Sequence, residues 1–500
     1  MKLYLYGHEF HYEMENLCRL FFHRQKIEVQ ENCRDMAPEE DGALTLAAPD
    51  GAGGLDLLVR TRVGAYRGEG RDHTTADDPL QEAERRLGVL LFRQLSEACG
   101  IRPRWGILTG VRPVKLLRSL TGRFGEQEAA RIFREDYLVS EEKLRLSLVT
   151  MRNEGALLAR SRPDSCSIYV SIPFCPTRCA YCSFVSSAVE KTAKLIPQYV
   201  ELLCREIEKA GQAVRDCGLR VDSVYFGGGT PTAISAEQLA ALIASVHAHF
   251  DLSHCMEFTV EAGRPDTVTR EKLDVLREGG VTRISINPQT LSDDVLRRIG
   301  RRHTTRQTLD AFRLARDCGM GNINMDLIAG LPGDTVSGFA ASLDGVLALQ
   351  PESVTVHTLS LKRSAQIFQD GVGEPEGETE GETAAEMLAY ASSRLTESGF
   401  QPYYLYRQSR MVGNLENVGW CKPGFESPYN VFIMDESQTI LACGAGAATK
   451  LCRPGENHIE RVFNFKFPYE YISRFQEVLE RKDRVREFYE RSNGTVCPLS

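Results

Sequence analysis

Ser171-Ile172-Pro173-Phe174-Cys175-Pro176-Thr177-Arg178-Cys179-Ala180-Tyr181-Cys182-Ser183-Phe184 is the stretch on which the reading of the chain turns. Three cysteines stand in it at spacing C-x₃-C-x₂-C, and Pro173 and Pro176 flank the first of them. Proline fixes φ and removes a backbone donor, so the segment reads as a loop that can wrap its thiolates around a compact object. The apolar run Ile168-Tyr169-Val170 reads as a buried strand ending at that loop. A zinc site calls for four ligands, commonly two Cys/His pairs. Three thiolates within eight residues, with no fourth nearby, suit a [4Fe–4S] cube that leaves one iron free of protein. Three unrelated loop cysteines, or zinc with a distant fourth ligand, are the competing readings.

Working outward, 500 residues imply two or three domains. A composition of 42% apolar and 26% charged residues is that of a soluble globular protein with core enough to need no disulfides. A net charge of −8 and a pI of about 5.8 give no support to a nucleic-acid partner. No run of 18 apolar residues occurs, so no membrane span is expected. Met1-Lys2-Leu3-Tyr4-Leu5-Tyr6-Gly7 is too short for a secretion signal and reads as a first strand. Fifteen cysteines, an odd number in a large chain, favour reduced thiols and a cytoplasmic location. Cys18, Cys99, Cys204 and Cys318 lie in helical patterns and read as small buried hydrophobes.

Residues 1–160 read as an α+β domain. Strands are expected over 3–6, 44–47 and 55–60, with Asp50-Gly51-Ala52-Gly53-Gly54 as a hairpin turn. That turn lacks the GK[ST] of a phosphate loop. Helices are expected over 79–99 and 140–158, with Gly106-Ile107-Leu108-Thr109-Gly110-Val111-Arg112-Pro113 as a shaped loop between them. Residues 165–365 alternate strands over 168–172, 221–226, 257–261, 282–286, 323–328 and 354–357 with helices over 190–213, 235–249, 268–279, 305–318 and 336–349. Repeated βα units dictate parallel strands with right-handed crossovers, here a partial (β/α)₆ TIM-type barrel. Barrel sites gather at the C-terminal strand ends. Gly227-Gly228-Gly229-Thr230 follows the second strand, and three glycines let a backbone approach a ligand closely. Glu261 ends the third strand, where a carboxylate could hold a ribose or make a salt bridge. Asp326 stands in an otherwise apolar strand and must have a partner.

The cysteine spacing, with Tyr181 before the last cysteine, resembles the radical S-adenosylmethionine (SAM) superfamily. Tyr169-Val170-Ser171-Ile172-Pro173-Phe174-Cys175 resembles its oxygen-independent coproporphyrinogen III oxidase family, and the long N-terminal region resembles the HemZ-type branch. The resemblance spans about residues 165–450. It implies a [4Fe–4S] cluster on Cys175, Cys179 and Cys182, with SAM chelating the open iron. It also implies SAM contacts from Tyr169, Tyr181, Gly228, Gly229, Thr230, Glu261, Gln289, Arg301, Asp326 and Ser360. Among these, the glycines would take the methionyl amino group, Arg301 its carboxylate, Glu261 the ribose and Ser360 the adenosine. The implied partners are coproporphyrinogen III or a related tetrapyrrole and a reducing electron donor such as flavodoxin or ferredoxin. The implied reaction converts two propionates to vinyls, giving protoporphyrinogen IX.

Residues 366–500 read as a C-terminal α/β extension that covers the substrate, joined through an acidic linker over 371–382 and a helix over 384–398. Its aromatics Tyr403, Tyr404 and Tyr406 are either core or the lining of a tetrapyrrole site, and Arg407 or Arg410 is a candidate for pairing with propionates. Two departures bear on the substrate. The oxidases carry a fourth cysteine as C-x-C, where this chain has Phe184, and they have only a short N-terminal arm. A sister branch of haem chaperones carries a histidine-asparagine motif where this chain reads Glu416-Asn417-Val418-Gly419-Trp420, with no histidine to ligate iron. An oxidase, a haem chaperone and a radical SAM enzyme acting on haem therefore remain as readings, and the missing histidine favours the oxidase.

Overall fold

The computed structural model describes all residues except 24, 38–39, 76–78, 183–185, 361–378, 409–411, 454–457 and 494–500. The chain forms two compact units, Met1–Met151 with Tyr406–Glu416, and Arg152–Leu405 with Asn417–Ser500.

The first unit holds a five-stranded sheet of order β2-β1-β3-β4-β5. Its strands are β1 (Lys2–Tyr6), β2 (Glu28–Glu31), β3 (Gly42–Pro49), β4 (Leu55–Val63) and β5 (Tyr66–His73). β1 runs parallel to β2 and β3, whereas β3, β4 and β5 form an antiparallel meander. Leu3, Leu5, Leu57 and Val59 meet Leu17, Cys18, Leu87, Leu91 and Phe92 of the helices His11–Phe21 and Pro79–Cys99 in one core. The expected strands and turn are present. β2 and β5 were not anticipated, because Tyr66-Arg67-Gly68-Glu69-Gly70-Arg71-Asp72-His73 has no apolar face and is held by its register with β4. The loop ending at Pro113 opens a further unanticipated helix, Pro113–Phe124, with proline in its first turn.

Arg407 belongs to this unit and is buried. Its guanidinium donates to the carbonyls of Leu108 (2.5 Å) and Asn414 (3.1 Å) and lies over the Trp105 ring. Burial pushes its pKa down to about 10. Both of its Nη groups are thus engaged by carbonyls of its own unit, and Arg410 lies outside the described residues. Lys143 and Glu416 form a buried ion pair at 2.6 Å, and Trp105 Nε1 donates to the same carboxylate at 2.7 Å.

The second unit holds the barrel sheet, whose strands are β6 (Ser165–Ile172), β9 (Arg220–Gly228), β10 (Glu257–Glu261), β11 (Arg283–Ser285), β12 (Ile323–Ala329) and β13 (Ser353–Thr358). β7 (Phe174–Cys175) and β8 (Ser187–Ala188) form a two-stranded pair beside it. The six barrel strands are parallel and adjacent in chain order, as a (β/α)₆ partial TIM-type barrel requires. Each expected strand and helix is found with its ends shifted by three residues or fewer, except that the helix expected over 190–213 runs Ile196–Asp216 behind a short turn of helix at Val189–Thr192, and one unanticipated helix, Asp293–Arg298, follows β11. Serine and threonine side chains at Ser235, Thr269, Ser292, Thr304 and Thr335 cap the helices they precede, which fixes where each crossover turns back.

The C-terminal residues extend this same sheet. β14 (Gln401–Tyr406) and β15 (Asn417–Cys421) lie beyond β13, while β16 (Thr439–Cys443), β17 (Ala448–Cys452) and β18 (Ile459–Phe463) lie beyond β6. Tyr403 and Tyr404 are buried core residues. The acidic linker falls largely on 361–378, outside the described residues, yet Thr379 already opens the helix Thr379–Glu397, so 379–382 are helical. Glu382 near its N-terminus suits the helix dipole. Of the helical cysteines, Cys18 and Cys318 are buried, whereas Cys99 and Cys204 are only partly so.

A polar knot braces β16 against the chain entering the cysteine loop. Glu206, fully buried, accepts from Lys482 Nζ (2.7 Å), Tyr471 Oη (2.6 Å), Asn464 Nδ2 (2.7 Å) and the Gly444 N–H (2.7 Å). Tyr199 Oη accepts from the Ala445 N–H at 2.8 Å and donates to the Ser171 carbonyl at 2.9 Å. Every listener to the buried carboxylate is a donor, as a charge removed from water requires.

Candidate cluster and cofactor site

Two loops at the C-terminal strand ends are stitched together. The Gly229 N–H donates to the Ile172 carbonyl (2.9 Å), and the Thr230 N–H donates to Phe174 (2.8 Å). Gly228 sits at φ +106°, a conformation that only glycine adopts without strain. A Cβ on Gly229 would lie 2.7 Å from the Phe174 carbonyl and 3.0 Å from Cys175 Sγ, so the glycine leaves the space beside the sulfur open. Thr230 Oγ1 donates to Cys175 Sγ at 3.5 Å. Farther along, the Ala180 N–H donates to the Ile299 carbonyl (3.0 Å) and the Cys182 N–H to the Cys179 carbonyl (3.1 Å). Cys179 is buried, whereas Cys175 and Cys182 are partly exposed.

Two buried arginines approach this loop. Arg264 donates from Nη1 to the Thr177 carbonyl (3.2 Å) and to Cys179 Sγ (3.7 Å), and from Nη2 to Thr177 Oγ1 (3.0 Å). Arg301 donates from Nη1 to the Asn287 carbonyl at 2.6 Å, while its buried Nε has no partner. Burial opposes the Arg301 charge, but neighbouring Tyr181 and Cys179 raise its pKa and keep it cationic. His303 is held neutral, its pKa pushed down to about 3 by burial and by the charges of Arg301 and Arg264.

Carboxylates gather at the ends of β10 and β12. Tyr225 Oη donates to Glu261 Oε1 at 2.5 Å, and Tyr225 stacks with Tyr429 (4.3 Å) and with Tyr169 (6.2 Å). Burial pushes the Glu261 carboxyl up to about 7; the Tyr225 hydrogen bond works against this and the Asp326 charge adds to it. Asp326 has the partners its strand position demands, Asn324 Nδ2 at 2.7 Å and His357 Nε2 at 3.5 Å. Burial would raise Asp326, but His357 and Asn324 overcome it and hold the carboxyl below the usual aspartate range. Gln289 adopts φ +69°, rare for a residue with a side chain, and its N–H and C=O pair with Asp326 and Ile328 of β12. Ser360 lies two residues beyond β13 and is partly buried.

The structure thus joins Cys175, Cys179, Gly229, Thr230 and Arg301 at one side, and Glu261, Asp326 and Tyr169 at the other. Arg264, Tyr225, Asn324 and His357 were not singled out in the sequence. Arg264 and His357 do carry a legible signal, since each is a polar side chain at a barrel strand end. Among the described residues no three His, Cys, Asp or Glu side chains converge as a single metal ion requires. A cube takes each thiolate on a different iron and needs no such convergence. The partnerless Arg301 Nε and Asn287 Oδ1, together with the glycine cradle beside Cys175, fit a polar cofactor set against a cluster.

Comparisons with known proteins converge on the same class. A family profile described as the Radical SAM superfamily matches residues 169–344. The oxygen-independent coproporphyrinogen-III oxidase-like protein HemZ of Bacillus subtilis is 40% identical over 423 residues, 83% of each chain. The heme chaperone HemW of Bacillus subtilis is 32% identical over 315 residues, covering 61% of this chain and 77% of that one. Among solved structures, coproporphyrinogen III oxidase (HemN) from Escherichia coli matches 64% of this chain and 71% of its own, with a TM-score of 0.51 and 23% identity, a likeness of fold alone.

A radical SAM barrel with a three-cysteine loop is the class these observations define, and its cofactors are a [4Fe–4S] cluster and SAM. Within that class, the chain belongs to the oxygen-independent coproporphyrinogen-III oxidase-like family. No helix among the described residues is long and apolar enough to cross a membrane.

Proposed function

We propose that the protein oxidatively decarboxylates two propionates of coproporphyrinogen III, or of a closely related tetrapyrrole, to vinyl groups. In this reading Cys175, Cys179 and Cys182 hold three irons of the cluster. The Gly228-Gly229-Thr230 backbone takes the methionyl amino group of SAM, and Arg301 takes its carboxylate. Glu261 and Asp326 hold the ribose side, with Gln289, Tyr169, Tyr181 and Ser360 completing the pocket. The chemistry supplied by cluster and SAM when bound is a 5′-deoxyadenosyl radical competent to abstract hydrogen.

The chain's own residues orient and enclose. Arg301 is a guanidinium and stays charged though buried, so it meets a carboxylate without first gaining a proton. Asp326 is ionised and held by Asn324 and His357, so it accepts from hydroxyls without reorganising. The Tyr225 ring, stacked on Tyr429 and buried with it, holds the hydroxyl that donates to Glu261.

The observation that carries the oxidase reading is the strand-end set itself, carboxylates and arginine around the glycine and cysteine loops. Support against haem delivery comes from Glu416, which is engaged by Lys143 and Trp105, and from Asn417, whose Oδ1 accepts the Thr358 N–H at 2.8 Å. Where the sister branch has an iron ligand, this chain has residues with structural partners. The electron donor in this reading is a flavodoxin or ferredoxin, and the working compartment is the cytoplasm.

The test is anaerobic incubation of reduced protein with SAM and coproporphyrinogen III. The expected products are 5′-deoxyadenosine and a porphyrinogen lighter by two CO₂, read by mass spectrometry after air oxidation. Intact propionates together with tight stoichiometric haem binding would replace the oxidase by a haem-handling protein.

A further inference from the structure

Past Glu261 the chain runs Ala262-Gly263-Arg264-Pro265, and Pro265 opens the short turn Pro265–Thr267. The Thr267 N–H (2.9 Å) and Oγ1 (2.7 Å) both return to the Arg264 carbonyl, which fixes the backbone from which the side chain departs. Only 4% of that side chain is exposed. Each of its three guanidinium nitrogens is engaged: Nε with Asp266 at 3.3 Å, Nη1 with the Thr177 carbonyl and Cys179 Sγ, and Nη2 with Thr177 Oγ1. Thr177 lies between the first two cysteines of the loop and itself donates to the Gly300 carbonyl at 3.4 Å.

The contrast with Arg301 separates two tasks. Arg301 retains a buried, partnerless Nε and so has capacity left for a ligand. Arg264 has a partner at every nitrogen, and apart from Asp266 those partners are the cysteine loop and one cysteine sulfur. A sulfur that ligates iron becomes more electron-rich when the cluster is reduced, and a cationic donor on that sulfur favours the reduced state. Asp266 offsets the charge only in part, because its carboxylate is 23% exposed and screened by water.

We propose that Arg264 is a positioning residue that pins the loop between Cys175 and Cys179 and, through its N–H···S contact with Cys179, raises the reduction potential of the cluster. The proposal rests on the three cysteines being the cluster ligands. It makes reduction, the step that precedes any chemistry on a substrate, depend on a residue to which the proposed function assigns no contact with SAM or substrate.

The experiment uses full-length protein purified without oxygen, without SAM or substrate. Iron content is measured, and the reduced cluster is followed by electron paramagnetic resonance during a potentiometric titration. Arg264→Gln keeps hydrogen-bonding capacity and loses the charge. It is expected to retain about four irons per chain. At the wild-type midpoint its reduced-to-oxidised ratio should fall at least tenfold, a shift of about 59 mV for one electron. Arg264→Lys keeps the charge and should lie between the two. Full cluster content with an unchanged potential in Arg264→Gln overturns the proposal, as does an equal shift in both variants. Loss of the cluster from Arg264→Gln alone supports it, whereas loss from both variants assigns the arginine to loop geometry only and overturns it. Failure of the underlying reading is separately visible, because Cys179→Ala would then keep its iron.

Discussion

The two sides of the site carry opposite charge, and the four residues from Glu261 to Arg264 link them. On the cluster side Arg264 and Arg301 flank Cys179, and burial together with their charges leaves His303 neutral. On the other side Glu261 and Asp326 lie close enough for the Asp326 charge to raise the Glu261 pKa. One side is arranged to hold positive charge whatever the ligand, since its cations are buried and partnered. The other side is poised, with one carboxylate ionised and its neighbour near neutrality. The difference teaches that the pocket is prepared for a ligand of unequal ends, with a carboxylate at one and neutral hydroxyls at the other.

Breaking the cluster side altogether gives the largest effect. Cys175→Ala, Cys179→Ala and Cys182→Ala should each abolish the cluster, seen as loss of iron and sulfide after anaerobic reconstitution. Cys166→Ala and Cys204→Ala should leave about four irons per chain. Zinc without iron in protein purified free of oxygen would remove the cationic side's reason to exist.

Breaking the acidic side should cost ligand and spare the cluster. Asp326→Asn and Glu261→Gln are each expected to weaken SAM binding about ten- to a hundredfold, the value of a hydrogen bond to a charged group. Calorimetry on the reconstituted protein measures it. Unchanged affinity in both variants would detach these strand ends from the cofactor.

Titration sharpens the comparison. Glu261 is raised to about 7, so it takes up a proton as pH falls through that value while Asp326 stays ionised. SAM affinity should therefore drop about tenfold between pH 8 and pH 6, with no such drop in Glu261→Gln. A flat profile in the wild type would show that the ionised form is not the binding form. The same shift has a stability consequence of the opposite sense. The folded state holds the Glu261 proton longer than the unfolded chain, whose carboxyl titrates near 4.5, so this group's contribution is full below that pH and is lost as pH rises toward 7. The smallest effect belongs to Ser360→Ala, expected to change SAM affinity about fivefold or less, as for a neutral hydrogen bond.

The barrel was legible because its signals are local. Apolar runs mark each βα unit, N-cap serines or threonines mark every unit after the first, and the cysteines, glycines and Asp326 stand out from their neighbours. β5 was hidden because a strand held by its register with β4 needs no apolar face of its own. The burial of Arg407 was hidden because an arginine after an aromatic strand looks exposed, whereas the Leu108 carbonyl and Trp105, far away in sequence, enclose it. Arg264 was passed over, since its meaning depends on Thr177, which lies 87 residues earlier.

The pairing of β16 with β6 also sets a clock on maturation. β6 and the cysteine loop leave the ribosome roughly 270 residues before β16, on the order of 15 to 50 s at ordinary rates of synthesis. Lys482, which closes the knot on Glu206, follows later still. Until then the nascent chain has one edge of β6 unpaired beside three uncommitted thiols. Iron delivered before β16 and Lys482 are in place would meet a loop without its brace.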